Sequence, residues 1–314
     1  MDFHEEKNKF DENRRCETSP VTAGRVECVG NLAVAEIVSA WKHQFSYDIS
    51  PLFLGIKELS LLRCKDTGYQ FYWPMVEGDS ALYEHLSKIS WYYTPWKWEH
   101  TMALKFLKDG MSCLEIGSGA GGFIKGCLQK KQLRMTGLEL NKESVVNCQK
   151  DGLNMVSETL ETFSQTHIGE YDVVCSFQCI EHVGTVNFFL KASLKCLKPG
   201  GMLILSVPNN DGFVGCRKDL LNAPPHHQGL WSACVFEALE RFFPVELQAI
   251  AYEPLQRCHE GGTVLYCEQL LLGDSKAMRI TSRLTGVRRM LRWVVSKLQP
   301  FLIGHTMVAV YRKI

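Results

Sequence analysis

The sequence predicts an α/β fold built on a mostly parallel sheet. Three observations carry that expectation. An apolar segment, Ser112 to Ile116, enters the glycine-dense turn Gly117-Ser118-Gly119-Ala120-Gly121-Gly122, and a helix-compatible stretch, Phe123 to Leu128, leaves it. From Trp96 onward short apolar runs alternate with helical patterns, the order that joins parallel strands by right-handed crossovers. An apolar content of 46% over 314 residues supplies ample core for such layers.

Residues 1–23 are polar, carry Ser19-Pro20 and read as a disordered tail. Residues 24–95 read as a small α+β appendage or lid. Apolar residues at helical spacing (Leu32, Val34, Ile37, Val38, Trp41) predict a helix over 31–45. Segments 56–62 and 69–73 read as a hairpin around Asp66-Thr67-Gly68. A helix over 79–89 follows, with Asp79 or Ser80 at its N-cap. The aromatic cluster Trp91-Tyr92-Tyr93-Thr94-Pro95-Trp96-Lys97-Trp98 leads into the main domain, 96–314. There the pattern predicts helix 96–108, strand 112–116, helix 122–130, strand 133–138, helix 142–150 and a short strand near 153–156. Strand 172–177, helix 185–197, strand 202–207, helix 232–242, strand 246–253 and a final strand over 306–311 complete it. An insertion, 272–300, separates the last two strands. Its Lys276, Arg279, Arg283, Arg288, Arg289, Arg292 and Lys297 are opposed only by Asp274, and apolar residues interleave at helical spacing. Such a basic amphipathic helix, 276–297, can lie on an anionic membrane surface.

The glycine turn carries the first functional signal. Glycine suits sharp turns and close approach to a ligand, because a Cβ would clash. At the carboxyl end of the first strand of an α/β sheet, adenosine-containing cofactors dock. Gly117, Gly119 and Gly122 also fit a dinucleotide fingerprint. Glu115, two residues before the first glycine, is awkward for a dianionic pyrophosphate, which wants bare amides. It suits an amino acid tail bearing an ammonium. About 20 residues on, Glu139 ends the next strand, where a carboxylate accepts ribose hydroxyls.

As a set, Leu114 to Phe123, Glu139, Val174 to Val183 (VCSFQCIEHV) and Leu197-Lys198-Pro199-Gly200-Gly201 resemble the successive motifs of class I S-adenosylmethionine (SAM) methyltransferases. Their order and spacing are similar to those of ubiquinone-biosynthesis-type O-methyltransferases and bacterial sugar- and polysaccharide-tailoring methyltransferases. The resemblance covers roughly residues 96–255 and the strand at 304–313. It implies a Rossmann-like seven-stranded sheet with helices on both faces, the last strand antiparallel beside the sixth. It implies SAM as cofactor, held by Glu115, Gly117, Gly119, Gly121 and Glu139, with adenine near Thr159 and Leu160 and the methionyl part over Phe177 and Gln178. The aromatic cluster, Tyr93 included, suits a lid, since aromatic faces attract a sulfonium cation and also pack on sugar rings.

An acceptor hydroxyl needs a base, and histidine has a fitting pKa. His182 opens the helix after the fourth strand. His226 and His227 follow Pro224-Pro225 in the loop after the fifth. If that loop is extended, neighbouring side chains point opposite ways and one histidine faces the acceptor. The segment Pro224-Pro225-His226-His227-x-x-x-Trp231 resembles one in methyltransferases that tailor sugars or polysaccharides. No metal is expected, because Mg²⁺ prefers oxygen ligands and no carboxylate pair stands beside these histidines. The expected acceptor is a small hydroxylated molecule or glycan. The alternatives are a nicotinamide-dependent oxidoreductase, which Glu115 disfavours, and a non-catalytic Rossmann-like binding module that uses 276–297.

A net charge of +1 gives no electrostatic case for nucleic acid. No apolar run reaches membrane-spanning length, and the polar, acidic start does not read as a signal peptide. The 13 cysteines are odd in number, many sit in apolar segments, and none forms a C-x-x-C pair. Reduced thiols acting as small hydrophobes fit best, and a cytoplasmic protein with peripheral membrane contact is the expected setting.

Overall fold

The computed structural model describes residues 18–89, 92, 94–212, 219–273 and 275–314. The tail expectation for residues 1–17 and the lid readings of Trp91 and Tyr93 lie outside the described residues. Residues 18–23, assigned to the tail from sequence, are packed. Thr18 bridges Arg25, Val21 is fully buried, and Asn187 donates to the Pro20 and Val21 carbonyls at 2.8 and 2.6 Å. One apolar side chain, Val21, gives this short polar stretch a seat.

The N-terminal unit comprises β1 (Val26–Ala33), α1 (Val34–Phe45), β2 (Glu58–Cys64), β3 (Gln70–Trp73) and α2 (Ser80–Ser87). The helix expected from residue 31 begins at Val34. Residues 26–33 instead pair antiparallel with β2, from Val26 opposite Cys64 to Ala33 opposite Glu58. Leu32 satisfies either periodicity, and the available strand edge decides. On α1, Val34, Ile37, Trp41 and Phe45 fall on one face and bury against Leu59, Tyr72, Leu82 and Leu86. Asp79 caps α2 by accepting the Leu82 N–H at 2.9 Å.

The main unit runs α3 (Trp98–Leu104), β4 (Ser112–Ile116), α4 (Gly122–Leu128), β5 (Arg134–Leu138), α5 (Lys142–Lys150), β6 (Met155–Val156), α6 (Leu160–Thr166), β7 (Tyr171–Phe177), α7 (Val186–Cys196) and β8 (Leu197–Pro208). It continues with β9 (Gly229–Leu230), α8 (Ala233–Ala238), β10 (Val245–Pro254), α9 (Glu260–Leu272), α10 (Lys276–Leu284), α11 (Val287–Leu298) and β11 (Ile303–Lys313). Seven strands form one sheet in the order β10-β11-β8-β7-β4-β5-β6. The chain of pairs from β8 to β6 is parallel, and β11 lies antiparallel between β8 and β10. This is a doubly wound, Rossmann-like α/β sheet. Side-chain alternation feeds its two faces. Leu114, Val174, Leu203 and Leu205 pack with α6, α7 and α8, while Cys113, Val173, Cys175 and Ile204 pack with α3, α4 and α5. Burial on both faces explains why these strands read as unbroken apolar runs.

The insertion is larger than its basic composition suggested. It begins with α9, whose apolar residues are spread around the helix and show no single face. The expected continuous helix breaks at Gly286, where φ is +80°, into α10 and α11. Leu291 and Val295 bury against Leu255 and Val264.

The strand β9 belongs elsewhere. It pairs with β3, placing Phe71 opposite Gly229, and so completes the sheet β1-β2-β3-β9. The loop after β8 is thereby built into the N-terminal unit.

Candidate active site

The carboxyl ends of β4, β5, β7 and β8 converge on the glycine turn. Gly117, Gly119 and Gly121 take φ of +75°, +53° and +70°, a region that side chains disfavour. A Cβ on Gly117 would lie 2.8 Å from the Cys179 sulfur, and one on Gly121 2.7 Å from Leu153. On the outer side of the turn, Pro95 covers Gly122 and the Trp96 ring lies against Gly126, where any Cβ would clash. Trp96 therefore acts as a staple between the aromatic segment and α4, stacked 6.1 Å from Phe123.

Glu115 is buried on β4, and its Oε2 has no hydrogen-bond partner among the described residues. Burial first, and then the Glu139 charge, hold its pKa well above the usual carboxylate range, with Lys97 opposing. Glu139 is half-buried at the end of β5. Its two oxygens accept the Gly119 and Asn141 amides, each at 2.8 Å. It thus ties the glycine turn to the start of α5 before any ligand arrives. Thr159 caps α6, accepting the Thr162 N–H at 3.3 Å, and the Leu160 side chain turns into the core. The adenine segment expected from sequence is thus the first turn of a helix that its composition did not announce. Phe177 packs edge-on against Phe123 and His100, at 4.7 and 5.0 Å between ring centres. Gln178 sits at φ +50°, a costly conformation for a residue with a side chain, pinned by its N–H to the Ser206 carbonyl at 3.0 Å. Tyr93, also expected at the cofactor, lies outside the described residues.

The three histidines come together. Ring centres of His182, His226 and His227 are 4.4 to 4.7 Å apart. The expectation that His226 and His227 point opposite ways is corrected: the segment is a turn, not a strand. Both amides donate to the Ala223 carbonyl at 3.1 Å, and the two rings stack 28° from parallel. Each ring has its Nδ1 placed against an acceptor. His226 Nδ1–H donates to the Leu221 carbonyl at 2.8 Å, and His182 Nδ1–H to the His226 carbonyl at 2.5 Å.

His227 is fixed through a relay. The Pro208 carbonyl accepts from Asn210 Nδ2 at 3.2 Å, Asn210 Oδ1 accepts from Asn222 Nδ2 at 2.7 Å, and Asn222 Oδ1 faces His227 Nδ1 at 3.2 Å. A carbonyl can only accept, so each donor in this chain is determined, and His227 must carry its proton on Nδ1. Its Nε2 is left with the lone pair. Burial pushes all three imidazoles below the usual value, His182 to about 4 against the pull of the His226 and Gln178 carbonyls. They are neutral at pH 7.

Sequence reasoning missed the partners of these rings. Tyr92 OH lies 2.8 Å from His226 Nε2, and Tyr83 OH 3.2 Å from His182 Nδ1. Gln228 clamps Val76 through both its amide atoms, at 3.1 and 2.6 Å. Glu181, beside His182, is fully buried with both oxygens unpartnered among the described residues, and burial lifts its pKa to about 8.

A methyltransferase-domain family model matches residues 91–251, just over half of the chain. The chain belongs to this methyltransferase family. The ubiquinone biosynthesis O-methyltransferase of Escherichia fergusonii is 30% identical to it over 109 residues, 33% of this chain and 45% of that protein. The same enzyme of Pectobacterium carotovorum is 32% identical over 108 residues, 32% and 45% of the two chains. The methyltransferase thus spans about half the length of the curated relatives it matches. A SAM-dependent methyltransferase from Archaeoglobus fulgidus aligns with a TM-score of 0.46 and 16% identity over 68% of this chain and 90% of that one.

The cofactor of this methyltransferase is SAM. The positive-φ glycine turn at the carboxyl end of β4 and the unpartnered Glu115 oxygen, which suits an ammonium, fit it. The nicotinamide reading falls with that assignment.

Proposed function

We propose that this methyltransferase methylates a hydroxyl of a small acceptor, a sugar or polysaccharide precursor, at the three-histidine cluster. One observation carries the reading. A neutral imidazole, His227, has its proton held on Nδ1 by Asn222, which leaves the lone pair on Nε2, within a three-histidine cluster at the carboxyl edge of the sheet, where acceptors meet cofactor. In this reading Glu115 takes the cofactor's ammonium, Glu139 the ribose hydroxyls, and Phe177 and Gln178 the methionyl part, with Thr159 and Leu160 at the adenine. When bound, SAM supplies a methyl group on a sulfonium: the acceptor oxygen's lone pair forms the C–O bond, and the C–S electron pair returns to sulfur. His227 Nε2 takes the hydroxyl proton. His182 and His226, with Tyr83 and Tyr92, hold the acceptor. Alignment of the reacting atoms supplies most of the rate. The hydroxyl-bearing aromatic faces here suit a sugar ring, which supports that acceptor class. Incubation with methyl-labelled SAM and a panel of nucleotide sugars, glycolipids and catechol-type phenols tests it. Label in a sugar is expected. Label confined to phenols would overturn the sugar reading, and label in amines alone the oxygen reading.

Protons should leave as the cofactor binds. Glu115 keeps its proton in the free protein well above the ordinary carboxylate range, whereas an adjacent ammonium favours the ionised form. Binding of S-adenosylhomocysteine should therefore release up to about one proton. Affinity should rise with pH until Glu115 ionises unaided. Calorimetry in buffers of different ionisation heat reads this directly, and a buffer-independent enthalpy in the wild type would remove Glu115 from the ammonium.

A second proposal concerns the insertion. Ile280, Leu284, Met290, Trp293 and Leu298 are exposed, Leu284 by 82% and Trp293 by 64%, beside the exposed Arg283, Arg289, Arg292 and Lys297. We propose that residues 276–297 rest on an anionic membrane surface, where apolar side chains insert and arginines meet headgroups. Arg288 takes no part, being paired with the buried Glu268. No described helix is long and apolar enough to cross a membrane. Trp293→Asp should cut co-sedimentation with phosphatidylglycerol vesicles at least about tenfold. Equal sedimentation of both proteins would refute the contact.

A further inference from the structure

Three histidines within reach of one another can do more than supply a base. A ring nitrogen from each of His182, His226 and His227 lies within 4.8 Å of the others. Their Nδ1 atoms face the His226 carbonyl, the Leu221 carbonyl and the Asn222 amide oxygen. Metal-bound histidines show this arrangement: the second nitrogen donates to a carbonyl or carboxylate, which fixes the tautomer and orients the ring. A lone base needs one such anchor. Here three rings carry one each, and the loop that presents two of them is turned so that both face inward.

We propose that His182, His226 and His227 form a binding site for a divalent ion of the Zn²⁺ class, which holds and acidifies the acceptor hydroxyl. Neutral imidazoles suit Zn²⁺, Co²⁺ or Ni²⁺ rather than Mg²⁺, which is why the oxygen-ligand argument against a metal does not apply. Tetrahedral ligation at about 2.0–2.1 Å places ligand nitrogens about 3.3 Å apart. The rings would therefore close on the ion by about 1 Å. The Tyr92 hydroxyl, 2.8 Å from His226 Nε2, would yield that lone pair to the ion, and the acceptor oxygen would take the fourth position. An ion there lowers the pKa of a bound hydroxyl as it does that of water. The acceptor's proton would then leave to solvent, and in the ion-loaded protein His227 would serve as a ligand in place of the base assigned to it above. The inference rests on the preceding reading only for the place of the acceptor.

The test uses the full chain stripped with a chelator and titrated with Co²⁺, whose four-coordinate complexes absorb visible light. One equivalent with a visible band is expected. The band should be lost in His227→Gln and in His226→Gln. In Asn222→Ala, which removes only an anchor, affinity should fall about 10- to 100-fold. S-adenosylhomocysteine titration shows that each variant is folded. No band, or a band that survives in the double variant His226→Gln/His227→Gln, overturns the site. Methylation by the stripped protein at the full rate, with no Co²⁺ bound, overturns the ion and leaves the histidine base standing. A band with no methylation of any hydroxylated acceptor keeps the site and overturns the oxygen-acceptor reading instead.

Discussion

Glu139→Ala is expected to weaken S-adenosylhomocysteine binding by at least about 100-fold. A carboxylate accepting two hydroxyl hydrogen bonds contributes about 1.5–3 kcal/mol through each, and about 1.4 kcal/mol is tenfold in affinity. The loss should exceed what the ribose contacts alone would give. The same carboxylate holds the Gly119 and Asn141 amides, so its removal also releases the turn that receives the cofactor. Isothermal calorimetry measures it, with NAD as a control ligand that should not bind either protein. Affinity within about threefold of the wild type would remove Glu139 from the ribose.

His227→Gln should lower kcat by a factor on the order of 10²–10⁴, the usual contribution of a positioned proton acceptor. Cofactor affinity should stay at the wild-type level, because the glycine turn and Glu139 are untouched. Asn222→Ala should show a smaller fall of the same kind, since it removes only the acceptor that keeps the His227 proton on Nδ1. Single-turnover measurements with a labelled methyl group separate this from binding. An unchanged rate in His227→Gln would mean that the acceptor loses its proton elsewhere.

Much of the main sheet was legible because its signals are local. The strand before the glycine turn, the helix α5 and the last strand announce themselves through apolar runs and motif spacing, while the antiparallel direction of that last strand came only from the family resemblance. Failures occurred where a distant partner decides. Residues 26–33 become a strand because β2 offers an edge. Val21 is ordered because α7 and its neighbours leave it a seat. The histidines were all named in advance, but their convergence was not. Whether two adjacent side chains diverge or stack depends on whether the backbone is extended or turned, and periodicity does not report that for a loop bearing two prolines. The hydroxyl of Tyr83 was invisible for a related reason: an aromatic residue on a helix reads the same whether its oxygen meets water or an imidazole, and Tyr92, placed in the lid cluster from sequence, gave no sign that its partner would be His226.

The two-residue strand β9 shares its backbone with the histidine loop and its hydrogen bonds with the N-terminal sheet. If the histidine loop holds the acceptor as proposed, acceptor preference should be inherited as one block of two distant stretches of sequence. A chimera that exchanges residues 24–95 between relatives while keeping the host's 219–231 would bring a foreign β3 to a resident β9, with Gln228 facing an unmatched Val76. Recombination, in the laboratory or in a genome, should succeed only when both stretches travel together.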